Sequence, residues 1–311
     1  NDRTIADAYL NLGMALSAHG DYIEAVDALD KALKIKQDLG DQFGEAVVYN
    51  QIGTIFIEIN DLAKAEWYFL KARPLFELLG HKQSEGTVWY YLGRIYLLSE
   101  RWESANHSLG RAEKLFIGLD IPYDELCIMQ QKAALATKVG KFVFAEQLIS
   151  QGLQMSKNIK AREFEVEFLM QLAGVRDLSD DFDTSINIYL EALEIAKEQS
   201  LLPRIAKILQ TIAALHKKKG NYCDALEYFE EFHTVQEQII HAQAARHLNG
   251  MQVIHETEIH RKNEEIAYTQ IAHLESLIEI SNQSILMYKK ELNKFKSGIL
   301  TKKKKKDKEE N

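Results

Sequence analysis

Small and bulky apolar positions recur along this chain every forty residues. Forty-residue steps from Gly13 land on Gly53, Gly93, Ala133, Ala173 and Ala213. Steps from Ala25 land on Ala65, Ala105, Ala145, Ser185 and Ala225, and steps from Leu29 on Phe69, Leu109, Ile149, Tyr189 and Phe229. A further series runs from Ala32 through Ala72, Ala112, Gly152 and Ala192 and ends on Phe232. Small residues fall on small ones and bulky on bulky ones for six cycles. Such a period marks a stacked architecture, in which one unit cannot bury its apolar face alone and its neighbour covers it.

Inside each cycle the pattern predicts two helices. "YLNLGMAL", "YNQIGTIF" and "WYYLGRIY" place apolar residues at i, i+3 and i+7, one stripe of an amphipathic helix. The short turns "HGD", "IND", "SER", "VGK", "SDD" and "KGN" follow. The Asp or Asn closing several of them is expected to cap the next helix by accepting backbone N–H bonds. The second helix carries Ala-x3-Leu/Phe-x2-Ala, whose small residues let helices approach closely. A larger side chain at Gly53 or Ala65 would push them apart. Pro74, inside the second helix of the second cycle, is expected to kink or shorten it.

These residues resemble the tetratricopeptide repeat, W-x2-L-G-x2-Y…A-x3-F. Trp89, Leu92, Gly93, Tyr96, Ala105 and Leu109 nearly reproduce it, as do Tyr49, Ile52, Gly53, Phe56, Ala65 and Phe69. Later cycles match less well: Lys132 stands at the usual leucine, and Arg176 and His216 at the usual tyrosine. The resemblance covers about residues 5–240. It implies an all-α, right-handed superhelical solenoid of six hairpins over residues 1–240. Its unit is six residues longer than the usual 34, as in kinesin light chains and cell-polarity adaptors, which implies longer helices or longer connectors.

Past residue 240 the period stops. Ile271, Leu274, Ile278, Ile285, Tyr288, Leu292, Phe295 and Ile299 follow alternating steps of three and four, with Ser281 the polar gap. That seam predicts a coiled coil within residues 251–299. Two roles fit it: self-association as a homodimer, or a helix folding back to cap the open end of the repeats. Residues 241–300 are therefore read as a helical connector, and 301–311 as a disordered lysine-rich tail. The junction itself resembles the helical connector of bacterial repeat-containing signalling proteins.

Charge and chemistry then exclude several functions. Residues 1–240 carry 25 Lys+Arg against 36 Asp+Glu. An acidic body argues against nucleic-acid binding, which needs a basic face to replace counterions. No apolar run approaches the roughly 18 residues of a membrane span. Cys127 and Cys223 show no metal or disulfide spacing and favour a reducing compartment, so the cytoplasm is expected. There is no phosphate loop, no G-x-S-x-G and no catalytic Cys/His/Asp grouping. "MQVIHETEIHRK" imitates a zinc-protease motif, but His255 and His260 are five residues apart. That leaves the rings about 140° apart around a helix, too far for one metal. No enzyme, metal or cofactor is expected.

The resemblance implies that the first helix of each repeat lines a concave groove. Counting from the small residues, the inward positions are Asn50, Tyr90, Gln130 and Gln210, with Thr54 and Arg94 one turn on. Lys207, Lys217 and Lys218 line the sixth repeat, and Glu167 and Asp177 the fifth. In related forty-residue repeats, asparagines at such positions bond the backbone of an extended peptide, since an amide offers both donor and acceptor. The alternative is that the acidic and basic rows pair with each other. The implied function is a non-catalytic scaffold or signalling adaptor that binds a protein or extended peptide. Two other readings remain: the sensory module of a larger signalling enzyme such as a histidine kinase or nucleotide cyclase, and a peptide-pheromone-responsive regulator.

Overall fold

The computed structural model describes residues 2–242 and residue 270. The seam residues, His255, His260 and the lysine tail lie outside these. Eleven helices lead the described part: α1 (Asp2–His19), α2 (Tyr22–Asp38), α3 (Gln42–Glu58), α4 (Leu62–Leu78), α5 (Lys82–Leu98), α6 (Trp102–Phe116), α7 (Pro122–Lys138), α8 (Phe142–Asn158), α9 (Arg162–Leu178), α10 (Phe182–Glu198) and α11 (Leu202–Lys218). Residues 222–242 are helical as well, and no strand occurs among the described residues. From α2 onward a helix begins every twenty residues. Most have 17 residues, about 26 Å of helix. The six additional residues of the repeat thus lengthen the helices, while most connectors keep three residues.

Those three residues do two jobs at once. After α2, Gly40 takes a left-handed conformation (φ 66°) and the Asp41 N–H reaches back to the Lys36 carbonyl at 2.9 Å. That closes the helix with a Schellman motif. Asp41 is also the N-cap of α3, its carboxylate accepting from the Gly44 N–H at 2.9 Å. Asp61 and Asp181 cap α4 and α10 in the same way, and His81 Nδ1 accepts from the Ser84 N–H of α5. Asp21 does not follow the expectation: it makes no cap bond to α2 and pairs instead with His19 Nδ1 at 2.8 Å. The connector 117–121 is the irregular one, with Gly118 and Asp120 both left-handed, and α6 is shorter by two residues to keep the period.

Consecutive helices pair as hairpins, and the odd-numbered helices also touch each other from α1 to α9. Packing of that kind bends the stack toward the odd helices, which form its inner face. Within hairpins the small-on-bulky register holds. A methyl group at Gly13, Gly53 or Gly93 would fall within 2.6–2.9 Å of Leu29, Phe69 or Leu109. Between repeats the same meshing recurs at Gly152, where a methyl would lie 2.2 Å from the Phe168 ring. Ser185, standing where the series has alanine, is fully buried and donates its hydroxyl to the Ala173 carbonyl at 2.8 Å. Its polar atom is therefore satisfied.

Pro74 does not shorten α4, one of the two effects expected of it: α4 runs its full 17 residues. Pro74 and Leu70 are both exposed, so the turn whose hydrogen bond proline removes lies on the solvent side of α4. The poorly matching later positions are compensated too. Arg176 pairs with Glu146 at 3.2 Å across thirty residues, just as Tyr96 donates to Glu66 at 2.9 Å across thirty. Lys132 reaches Glu113 at 2.7 Å, and His216 stacks on Tyr228 with ring centroids 5.4 Å apart.

Candidate functional site

The inner face divides into two stretches. The first spans α3, α5 and α7. Asn50 on α3 has a buried amide oxygen with no hydrogen-bond partner. Thr54, one turn on, donates to its own helix at the Gln51 carbonyl (2.7 Å). On α5, Tyr90 packs against Tyr91 and lies beside Cys127 of α7. Burial, then the neighbouring Cys127, pushes the Tyr90 phenol well above its ordinary range; burial, then Asp124, raises the Cys127 thiol. Tyr91 is raised by burial as well. All three groups are therefore neutral near pH 7. Beside them lies the half-buried Arg94, whose charge opposes these shifts but which forms no ion pair among the described residues.

The second stretch spans α7, α9 and α11. Here Glu167 accepts from the Gln130 amide at 3.2 Å and pairs with Arg204. Gln171 donates to the Gln130 carbonyl at 3.0 Å, and Lys218 pairs with Asp177 at 2.8 Å. These bonds link residues 37 to 41 positions apart, one repeat to the next. A cavity of about 320 Å3 lies among them, walled by Cys127, Phe164, Leu201 and Pro203 with Gln130 and Glu167 at its polar side. Gln210, Lys207 and Lys217 on α11 are exposed. A separate cleft of about 260 Å3, lined by Trp102, Leu135, Val139 and Phe144, opens between α6, α7 and α8.

The structure thus brings Tyr90 and Arg94 together and places Asn50 on the adjacent inner helix. Gln130, expected as one rung of an amide ladder, is tied instead into a network across repeats. Cys127 is a groove residue that repeat counting does not single out, although it stands forty residues from Thr87 and three before Gln130. Among the described residues no cluster of His, Cys, Asp and Glu could hold a metal ion, and no helix is long and apolar enough to cross a membrane.

The tetratricopeptide repeat family model matches residues 4–78. No curated protein matches the chain in sequence. Among solved structures, the chain is similar to apo RapI (TM-score 0.65, 13% identity, covering 77% of this chain and 85% of that one). It is similar to the Rap conjugation gene regulator of the plasmid pLS20, solved in complex with the Phr* peptide (TM-score 0.62, 18% identity, 78% and 65%). It also matches aspartyl phosphate phosphatase F from Bacillus subtilis (TM-score 0.59, 18% identity), covering 76% of this chain but only 61% of that protein's length. At these identities the likeness is one of fold.

Proposed function

Because the chain is a tetratricopeptide repeat protein, we propose that it is a non-catalytic scaffold or signalling adaptor holding a protein segment or extended peptide in its inner groove. The observation that carries this reading is the polar chemistry left open on that face: the Asn50 and Gln171 amide oxygens are buried without a hydrogen-bond partner, and the half-buried Arg94 forms no ion pair among the described residues. A buried polar group without a partner costs about 1–3 kcal/mol, which a ligand supplying the bond recovers. The groove is preformed by packed helices, so little receptor ordering offsets the contacts made.

A second reading, a peptide-responsive regulator, is favoured by the fold likeness to the Rap regulator solved with the Phr* peptide. Both readings use the same face and place the protein in the cytoplasm, where the free thiols of Cys127 and Cys223 persist. The test is affinity capture from the native host on the wild-type chain and on Asn50→Ala with Gln130→Ala. Captured partners are expected to be lost by the double variant while its helical circular dichroism stays the same. Equal capture would move the site off the inner face.

A further inference from the structure

The helix over residues 222–242 leaves one of its faces exposed. In each earlier repeat the first helix of the next repeat packs on the second helix, as α11 does on α10. There Ile186, Tyr189, Leu193 and Ala196 are buried in one cluster with Ile205, Ile208, Leu209 and Ile212 of α11. Forty residues on, the same positions hold Leu226, Phe229, His233 and Gln236, and all are exposed. Leu226 is 57% exposed and Phe229 44%, against 7% for both Ile186 and Tyr189. Exposed Tyr222 and Ile240 extend the row at its two ends.

Alternating steps of four and three join Tyr222, Leu226, Phe229, His233, Gln236 and Ile240, which puts them in one narrow stripe along the helix. On one flank of the stripe Phe232 and Ile239 pack into the core shared with α10 and α11. On the other stand Glu230 and Glu237, both exposed and without an ion pair among the described residues. The whole helix carries Asp224, Glu227, Glu230, Glu231 and Glu237 but no lysine or arginine. Of these, Glu231 is held by Lys197 at 2.6 Å and Asp224 lies 3.4 Å from His216. The helix that covers the preceding face is the opposite in charge: α11 carries Arg204, Lys207, Lys217 and Lys218 and no carboxylate. A second copy using the same stripe would set carboxylates against carboxylates.

We infer that this face docks a cationic amphipathic helix of a partner protein. Apolar side chains at i, i+3, i+4 and i+7 of that helix lie on the stripe, and its lysines or arginines stand beside Glu230 and Glu237. The partner helix packs there as α11 packs on α10. Exposed Leu226 and Phe229 supply the apolar contact, and the carboxylates select the charge of the helix that arrives. The face belongs to the second helix of a repeat, so it is separate from the inner groove and does not depend on the groove reading.

The test uses the full chain and a fluorescent helical peptide of about 18 residues, with leucines at those spacings and lysines elsewhere. A twin peptide carries glutamate for every lysine. Fluorescence anisotropy is expected to show the lysine peptide bound and the glutamate twin free. Glu230→Lys with Glu237→Lys should weaken the lysine peptide roughly tenfold. Leu226→Gln should weaken it about fivefold, and helical circular dichroism should stay the same in both variants. Glu24→Lys with Asp38→Lys, the same charge change at exposed positions of α2, should alter affinity less than about twofold. Equal loss from the two reversed pairs would make the attraction general to the acidic body and overturn the inference. Absence of binding overturns it as well, and two further measurements then say what holds the face. A dimer in sedimentation that Leu226→Gln dissociates assigns it to a second copy. Cross-links from the exposed Cys223 confined to its own chain assign it to another segment of this protein.

Discussion

The two ends of the inner groove share a backbone but not a chemistry. Over α3 to α7 the groove floor is aromatic, and Asn50 and Arg94 are left without partners. Over α7 to α11 several polar groups close on one another across repeats, although the Gln171 amide oxygen is buried without a hydrogen-bond partner there too. The flanking architecture differs in the same sense. Helices α3, α4 and α5 carry side-chain N-caps, as does α10 in the later half, while α2, α6, α7, α8, α9 and α11 have none. Left-handed residues that are not glycine also gather toward the later repeats: Asp120, Lys160, Asp180 and Ser200 against Asn60 and Glu100 earlier. A repeat protein can thus keep one curvature while the polar chemistry of its inner face changes along the stack. Curvature depends on buried small and bulky side chains, and recognition depends on the exposed ones.

The strongest way to break the comparison is to hollow each half in turn. Phe69 and Phe168 are both fully buried, against Gly53 and Gly152 respectively. Either one changed to alanine should cost about 3–5 kcal/mol. Because each repeat contacts mainly its neighbours, amide hydrogen exchange should quicken in α3–α5 for Phe69→Ala and in α8–α10 for Phe168→Ala. Equal acceleration in both halves for either variant would mean that the two regions are one cooperative unit.

A smaller effect tests the capping difference. Asp41→Ala removes the cap of α3 and one of the two carboxylates on the buried Lys36, whose other partner is Asp7 at 2.6 Å. The loss of the cap alone should cost about 1–2 kcal/mol at pH 7. The Gly44 N–H, then the Lys36 ammonium, hold the Asp41 carboxyl below its ordinary range. A carboxyl lowered on folding contributes stability above its unfolded pKa and loses it as pH falls through the folded one. The gap between wild type and Asp41→Ala should therefore be full near neutrality and shrink below about pH 4. Urea titrations across that range measure it; a gap undiminished at about pH 2 would show that the carboxylate charge is not responsible.

The smallest effect sharpens the contrast from the other side. Lys160 is exposed and held at φ 57°, where a side chain costs about 1 kcal/mol or more relative to glycine. Lys160→Gly should stabilise the later repeats by up to about 1 kcal/mol after the larger unfolded-state entropy of glycine is offset. Gly140→Ala, at φ 75°, should do the reverse. Thermal melts of the two variants should shift in opposite directions.

Much of the fold is legible in the chain's own periodicity. The series through Gly13, Ala25, Leu29 and Ala32 specifies helix pairs and the small-on-bulky register, because burial on a helix is a local, periodic property that holds whatever the neighbour. The candidate groove is legible in part. Counting from the small residues places Asn50, Tyr90 and Arg94 on the inner face, yet Cys127 escapes such counting because a small neutral side chain carries no signal of its own. Pro74 does not shorten its helix because proline is tolerated on an exposed helical turn, and only burial reveals that exposure.

Sequence alone determined that residues 5–240 stack as helical hairpins, since the forty-residue recurrence leaves no other way to bury so regular an apolar stripe. Only the tertiary structure decided which inner polar groups are spent and which are free. Partners such as Gln130 and Glu167, or Asp177 and Lys218, meet from adjacent repeats, and whether they touch depends on how far the stack bends and which rotamers that bend admits.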